Sequence, residues 1–250
     1  GGSHARMNRR FIIPGVSAQT PLAEAAPALL LAKAEPLFAP EEAARSGADA
    51  DAVHDMRVAS RRLREAMRLL EPLYPRREFR AWYKRVRRIT RALGPVRDSD
   101  VFIEDFAKLG SRVGGEGKRA VAFMIGYRFG RREHELAALN AELGHLDLEG
   151  GRRSLETLAF HLADPRRVSV PFATFAYGAI AERAATVFGA QPAALSEASV
   201  TQQHELRIHY KRLRYAAEAF APCYDDAFDD LHATLTAFQD TLGDMHDMHV

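Results

Sequence analysis

The sequence predicts an all-α fold, and three of its features carry that prediction. A basic segment without glycine or proline occurs twice, as VHDMRVASRRLREAMRLL over residues 53–70 and QHELRIHYKRLRYAAEAF over residues 203–220. Apolar residues in both copies recur at the spacing of a helix that buries one face. No stretch of any length alternates apolar and polar residues with the period of two that a half-buried strand needs.

The two segments align residue for residue, His54 on His204, Arg57 on Arg207, Arg61 on Lys211, Arg62 on Arg212, Leu63 on Leu213 and Arg64 on Arg214. At about 100° per residue, His54, Arg57, Arg61, Arg64 and Arg68 share one stripe. Val53, Met56, Leu63, Met67 and Leu70 share another, well round the helix from the first. The second copy divides in the same way, with Leu206, Leu213, Ala217 and Phe220 on one side and His204, Arg207, Lys211 and Arg214 on the other. One face is suited to a core, and its neighbour presents a histidine followed by a column of cations. Such a column requires something acidic to meet it, either carboxylates of the same chain or an anionic ligand.

Taken in order, Gly1 to Arg6 reads as the remnant of an expression tag ahead of Met7, and residues 8–20 as an irregular lead-in. Residues 21–45 predict an Ala- and Leu-rich helix, capped by Thr20, with Pro21 in its first turn and kinks or a break at Pro27 and Pro36. SGADAD (46–51) is a turn that places Asp51 to cap the basic helix, which is expected to stop at Leu73-Tyr74-Pro75. A third helix over residues 76–93 turns Phe79, Tyr83, Val86, Ile89 and Leu93 to one side. It carries Arg80, Lys84, Arg87 and Arg91 as a second basic column, with Arg85 and Arg88 beside them. Gly94-Pro95 is expected to break the chain, after which RDSD (97–100) opens a helix to about Leu109, with Asp98 as its cap or, alternatively, orienting an arginine of the basic helix. SRVGGEG (111–117) reads as a loop, residues 118–143 as a long helix carrying Arg128, Arg131 and Arg132, and residues 151–162 as a shorter one.

Residues 171–188 repeat the first helix, and GAQPAALSEAS (189–199) reads as a linker. The basic helix then returns and ends at Pro222. Residues 228–242 mirror 79–93, and LGDMHDMHV (242–250) mirrors LGPVRDSDV (93–101), with Asp247 in the place of Asp98. The chain therefore contains one internal duplication. It predicts a single domain over residues 14–250, built as two helical bundles about a pseudo-twofold axis, residues 14–165 and 171–250. The second copy ends at Val250, where the first runs on past Val101, so a truncated second bundle is expected.

Composition narrows the classes. Apolar residues make up 47% and charged residues 27%, as in an ordinary globular protein able to bury a core. The net charge is only +2, but residues 57–97 crowd arginine and lysine against Glu65, Glu71 and Glu78, while residues 225–230 are acidic. Arginine far outnumbers lysine, which suits bidentate recognition of phosphate or carboxylate. Cys223 is the only cysteine, so an intrachain disulfide is impossible and a reducing compartment fits. No apolar run approaches the ~20 residues of a membrane span, and a cytoplasmic protein with no membrane partner is expected.

HDMRVASRRLRE, HELRIHYKRLRY and the two LGxxxDxxV segments resemble the CHAD domain, the conserved histidine α-helical domain, over nearly the whole native chain. The resemblance implies two four-helix bundles around a central basic groove or cavity, binding of inorganic polyphosphate, and association with polyphosphate granules. Carried over position by position, the family's histidine and basic helix fall on His54, Arg57, Arg61, Arg62 and Arg64, and on His204, Arg207, Lys211, Arg212 and Arg214. Arg68, the column Arg80, Lys84, Arg87, Arg88 and Arg91, and Arg97 extend the expected polyphosphate site. Two departures predict asymmetry. Arg97 and Asp100 become His246 and His249, and the basic third helix has a counterpart carrying Asp225, Asp226, Asp229 and Asp230.

A polymer with about one negative charge per phosphate and no base to read needs cations at steady spacing, which helix ladders supply every ~5 Å. For one helix a solvated charged face, or pairing with Asp55 or Glu205, accounts for the pattern equally well; two matched columns and a third basic helix favour a ligand. No catalytic residue, metal or organic cofactor is implied. His54 and Asp55 are neighbours on a helix and point about 100° apart, so they do not converge on a metal. Histidine phosphotransfer is the enzymatic alternative, but each histidine heads a column of arginines, which favours gripping phosphate over passing it on. Nucleic-acid binding calls for aromatic platforms among the cations, and only Tyr215, opposite Glu65, provides one. If His54 and His204 contact phosphate, polyphosphate affinity rises as pH falls through the histidine range near about 6.5. A flat profile in a titration series from pH ~8 to ~5.5 would remove both from the site.

Overall fold

The computed structural model describes residues 11–164, 166–195, 200–224 and 227–247. The tag remnant, Asp225, Asp226 and His249 lie outside those residues, as does the end of the chain expected to be truncated. Among the described residues the regular structure is helical, apart from an isolated antiparallel bridge between Pro21 and Pro171. In order come α1 (Leu22–Phe38), α2 (Glu41–Ser46), α3 (Ala50–Leu70), a 3-10 turn (Glu71–Leu73), α4 (Arg76–Gly110), α5 (Gly115–Leu146) and α6 (Leu148–Ala159). Then follow α7 (Phe172–Leu195), α8 (Val200–Ala219), a second 3-10 turn (Ala221–Cys223) and α9 (Ala227–Asp247).

The chain forms two compact units. One consists of Leu31–Arg64 and Arg76–Phe160, the other of Gly1–Leu30, Glu65–Pro75 and His161–Val250. In the first, α4 and α5 pack along each other. Arg132 of α5 bonds the Asp100 carboxylate of α4 at 2.5 Å and donates to the Gly47 carbonyl at 3.0 Å. Gly47 ends α2 in the left-handed region (φ 66°) with Leu136 pressed against it, so a side chain there would meet both strain and a clash. The Trp82 indole donates to Ser154 of α6 at 3.3 Å.

In the second unit the N-termini of α1 and α7 cap each other. Leu22 and Ala23 N–H donate to the Val170 and Val168 carbonyls (2.9 and 2.8 Å), and Phe172 and Ala173 N–H donate to those of Thr20 and Ala18 (2.8 and 2.9 Å). This exchange satisfies donors that every helix start leaves open. Thr20 is therefore not the side-chain cap of α1, because its hydroxyl accepts from Ser17 N–H at 2.9 Å. Phe172 and Phe175 meet Phe220 edge to face, beside a core that includes Phe11, Leu206, Leu213 and Phe228.

Several local expectations are corrected. The segment 21–45 splits into α1, which runs on through Pro27 and Pro36, and α2. Asp49, not Asp51, caps α3, its carboxylate accepting from Asp51 N–H at 2.8 Å. α3 stops at Leu70, before Pro72 rather than Pro75, and α8 stops at Ala219, before Pro222. Pro72 and Pro222 each sit in the first positions of a 3-10 turn, where their missing N–H costs nothing. The expected linker 189–199 is helical as far as Leu195, through Pro192.

The largest correction is at Gly94-Pro95, where α4 continues without a break. Proline in a helix interior costs about 3 kcal/mol. Ile89, Leu93 and Val96 are buried on either side of it, at about 1.5–3 kcal/mol each, so packing outweighs the defect. Asp98 therefore lies inside α4 and caps nothing. Replacing the exposed Pro95 by Ala is expected to stabilise the protein by up to ~3 kcal/mol, read as a higher chemical-denaturation midpoint. A lower midpoint would mean that the helix has settled around a bend that only proline supplies.

Candidate functional site

α3 places its two faces as the periodicity requires. Val53, Met56, Leu63, Met67 and Leu70 are all buried, His54 is exposed, and Arg57, Arg61, Arg62, Arg64 and Arg68 are half-buried. On α8, Leu206, Leu213, Ala217 and Phe220 are buried, His204 is exposed, and Arg207, Lys211, Arg212 and Arg214 are half-buried. The cations are thus held at the edge of the packed face rather than out in solvent. Their long stems lie along apolar surface, and burial takes part of the charged end of Arg57 out of water.

In the first unit Arg57 is the focus. Its guanidinium reaches the Thr90 carbonyl at 3.4 Å and comes 2.9 Å from the point where a Cβ on Gly94 would stand. Burial depresses its pKa, Arg61 and Arg97 push the same way, and Asp98 opposes them. Asp98, expected as a cap or as the acid that orients an arginine of the basic helix, acts on Arg57 in the second way, favouring its charged form. Arg64 donates to the Tyr83 hydroxyl at 3.3 Å and lies over its ring. Along α4, Arg80, Lys84, Arg87 and Arg91 are exposed. Arg88 differs, being tied to Glu142 at 2.6 Å. Arg88 and Arg91 also line a cavity of about 400 Å³ beside Pro95 that Glu135 and Glu142 share, so carboxylates meet that end of the column.

In the second unit residues of both sequence copies come together. Arg183 of α7 has its pKa lowered by burial; Glu65 and Glu182 oppose that, and Arg212 of α8 and Arg68 of α3 add smaller contributions to it. Arg68 bonds Glu65 at 2.5 Å, and Glu65 is itself buried. Sequence reasoning missed Arg183, which sits on the Ala-rich helix 171–188 outside any basic column; its alignment with Lys33 was the available signal. Further along α8, Arg214 stands 3.5 Å from Glu218 and over the Tyr215 ring, and Glu218 in turn bonds His232 at 3.1 Å. Asp55 and Glu205, considered as partners for the columns, are exposed. The side chain of His246 lies outside those described.

The arrangement is chemically suited to holding anions. Guanidinium groups donate five N–H bonds and neither accept nor give up a proton at neutral pH. Burial pushes the Cys223 thiol up to about 11, which leaves it protonated and a poor nucleophile at neutral pH. No described helix is long and apolar enough to cross a membrane.

Comparison with known proteins bears on this geometry. The CHAD domain family profile matches residues 28–250. A crystal structure of the CHAD domain from the plant Ricinus communis superposes with a TM-score of 0.74 at 23% identity, covering 94% of this chain and 78% of that one. PptA from Streptomyces chartreusis superposes with a TM-score of 0.62 at 14% identity, covering 87% of this chain and 81% of that one. At such identities the structural likeness speaks to the fold, which is all-α in this chain. A sequence comparison with curated proteins finds no match.

The close approach at Gly94 provides a test of Arg57. Gly94→Ala adds a Cβ against the end of a flexible side chain and improves helix propensity by about 0.5–1 kcal/mol. The variant is expected to stay at least as stable while its affinity for polyphosphate, the ligand the sequence resemblance implies, drops severalfold, because Arg57 must move. Unaltered affinity by calorimetry would place Arg57 outside the site.

Proposed function

We propose that this chain, which belongs to the CHAD domain family, binds inorganic polyphosphate through the arginines, lysines and histidines of its basic helices, without catalysing a reaction on it. The observation that carries the reading is the meeting of Arg68 and Arg212, one from each copy of the repeat, around the half-buried Arg183. Three guanidiniums there face two carboxylates, and burial, more than its neighbours, weakens Arg183 as a cation. The group formed by Arg57, Arg61 and Arg97 around Asp98 supports it in the same way, with the exposed column of α4 beyond.

Phosphate oxygens relieve both kinds of strain at once. They neutralise the mutual repulsion and accept bidentate hydrogen bonds from planar guanidiniums that are only weakly hydrated. A chain of phosphates engages many such groups in sequence, so each contact after the first is formed at high effective concentration. The residues assigned to this role are His54, Arg57, Arg61, Arg62, Arg97, His204, Arg207, Lys211 and Arg212, with the α4 column alongside. Arg183 joins them. Arg68, Arg88 and Arg214 act with their acids Glu65, Glu142 and Glu218 beside them, and they contribute less.

The test is calorimetric titration with long-chain polyphosphate at two salt concentrations, with single-stranded DNA as competitor. Binding is expected to weaken with salt, the log–log slope steepening by about 0.7 for each phosphate neutralised, as for single-stranded nucleic acids. Arg57→Ala combined with Arg61→Ala should cost about tenfold per arginine, from roughly 1.5 kcal/mol per charged contact, without loss of helicity. Displacement by DNA at equal phosphate would identify a generic polyanion surface instead. Absence of binding to either polymer would mean that the columns serve the protein's own carboxylates, and would return phosphotransfer through His54 or His204 to consideration.

A further inference from the structure

α5 keeps one entire face uncovered. Val121 and Leu139 are buried, Arg128 lies over Phe102 of α4 at 5.7 Å, and Arg132 bonds Asp100, so the side carrying these residues lies on α4. At about 100° per residue, Arg119, Ala122, Phe123 and Gly126 fall on a different stripe, and Phe129, Gly130 and Glu133 continue it. All seven are exposed. Phe123 is 72% exposed and Phe129 49%, and apolar surface of that size grouped on one helix marks an interaction site.

The stripe is a palindrome about Gly126. Phe123 and Phe129 stand three residues to either side, Ala122 and Gly130 four, and Arg119 and Glu133 seven. We propose that this face is where a second copy of the chain docks, with the two α5 helices antiparallel and crossing at Gly126. A two-fold axis there sets Phe123 against Phe129 of the second copy, Ala122 against Gly130, and Arg119 against Glu133, each contact made twice, as an isologous interface requires. A parallel arrangement would oppose like charges.

The glycines fit the same picture. A Cβ added at Gly126 or Gly130 would meet nothing within 4 Å, so the chain's own packing does not explain their size. Close approach of a second helix does. Arg119 now pairs only loosely with Glu116, at 3.6 Å with side chains 80% and 95% exposed, and an exposed pair of that kind is given up at little cost. The inference stands on α5 alone and is independent of the anion site.

Sedimentation velocity of the full chain without polyphosphate, over a concentration series, tests it. A monomer–dimer equilibrium is expected. Arg119→Glu and Glu133→Arg should each weaken dimerisation about tenfold or more by opposing like charges, and the double reversal should restore it. Phe123→Ala should weaken it as well. All three positions are at the surface, so circular dichroism should be unchanged in every variant. A chain that stays monomeric up to about 100 µM, or a dimer indifferent to the single reversals, overturns the proposal; so does a double reversal no better than the singles.

Discussion

Arg57 is held half out of water beside Arg61 and Arg97, and the rest of the first unit is arranged so that it stays there. Unit charges ~4 Å apart repel by about 1 kcal/mol in bulk water and about 4 kcal/mol at an effective dielectric of 20. Left to themselves, three flexible arginines would move apart. The burial of Val53, Met56 and Leu63 along the same helix, at about 1.5–3 kcal/mol each, outweighs that repulsion and fixes the stems where they are. Apolar packing on one face of α3 thereby sets the charge density on the next, and a molecule that neutralises it gains what packing has imposed.

α4 serves the same end through its continuity. Because it runs unbroken from Arg76 to Gly110, the basic column at its start and Arg97 and Asp98 further along share one rigid rod. Gly94 is where α3's arginine enters, since only a residue without a side chain leaves room for that guanidinium. Pro95, next to it, leaves one carbonyl without its helical partner. The packed neighbours Leu93 and Val96 make that loss tolerable.

The two copies of the repeat have diverged in how far their cations are neutralised. Arg64 meets the hydroxyl and ring of Tyr83, which leaves its charge intact. Its counterpart Arg214 has Glu218 beside it, where copy one carries Arg68, and Glu218 is bonded to His232, where copy one carries Tyr83. A buried carboxylate must be paired, so α8 spends part of its basic column on its own core. α3 does the same with Arg68 and the buried Glu65, so the surplus of cations in the first copy lies in the exposed column of α4. The acidic start of α9, with Asp229 and Asp230, points the same way.

What the sequence by itself determined was the helical class, the buried faces of α3, α4 and α8, and the residues of the basic columns. These follow from spacing, because a helix displays its neighbours at three and four residues whatever surrounds it. Local punctuation was less reliable. Gly94-Pro95 reads as a break and Pro192 as a linker, yet both are helical, and at Gly94-Pro95 the burial of Ile89, Leu93 and Val96 outweighs the local defect. Caps shifted by two residues, to Asp49, or passed to backbone carbonyls from another helix, as between α1 and α7. Only the tertiary structure brought Arg183 to Arg68 and Arg212, set Asp98 against Arg57, and assigned Glu65, Glu142 and Glu218 to particular arginines. Those outcomes depend on which helices meet and at what height. Spacing along a single helix carries no information about either.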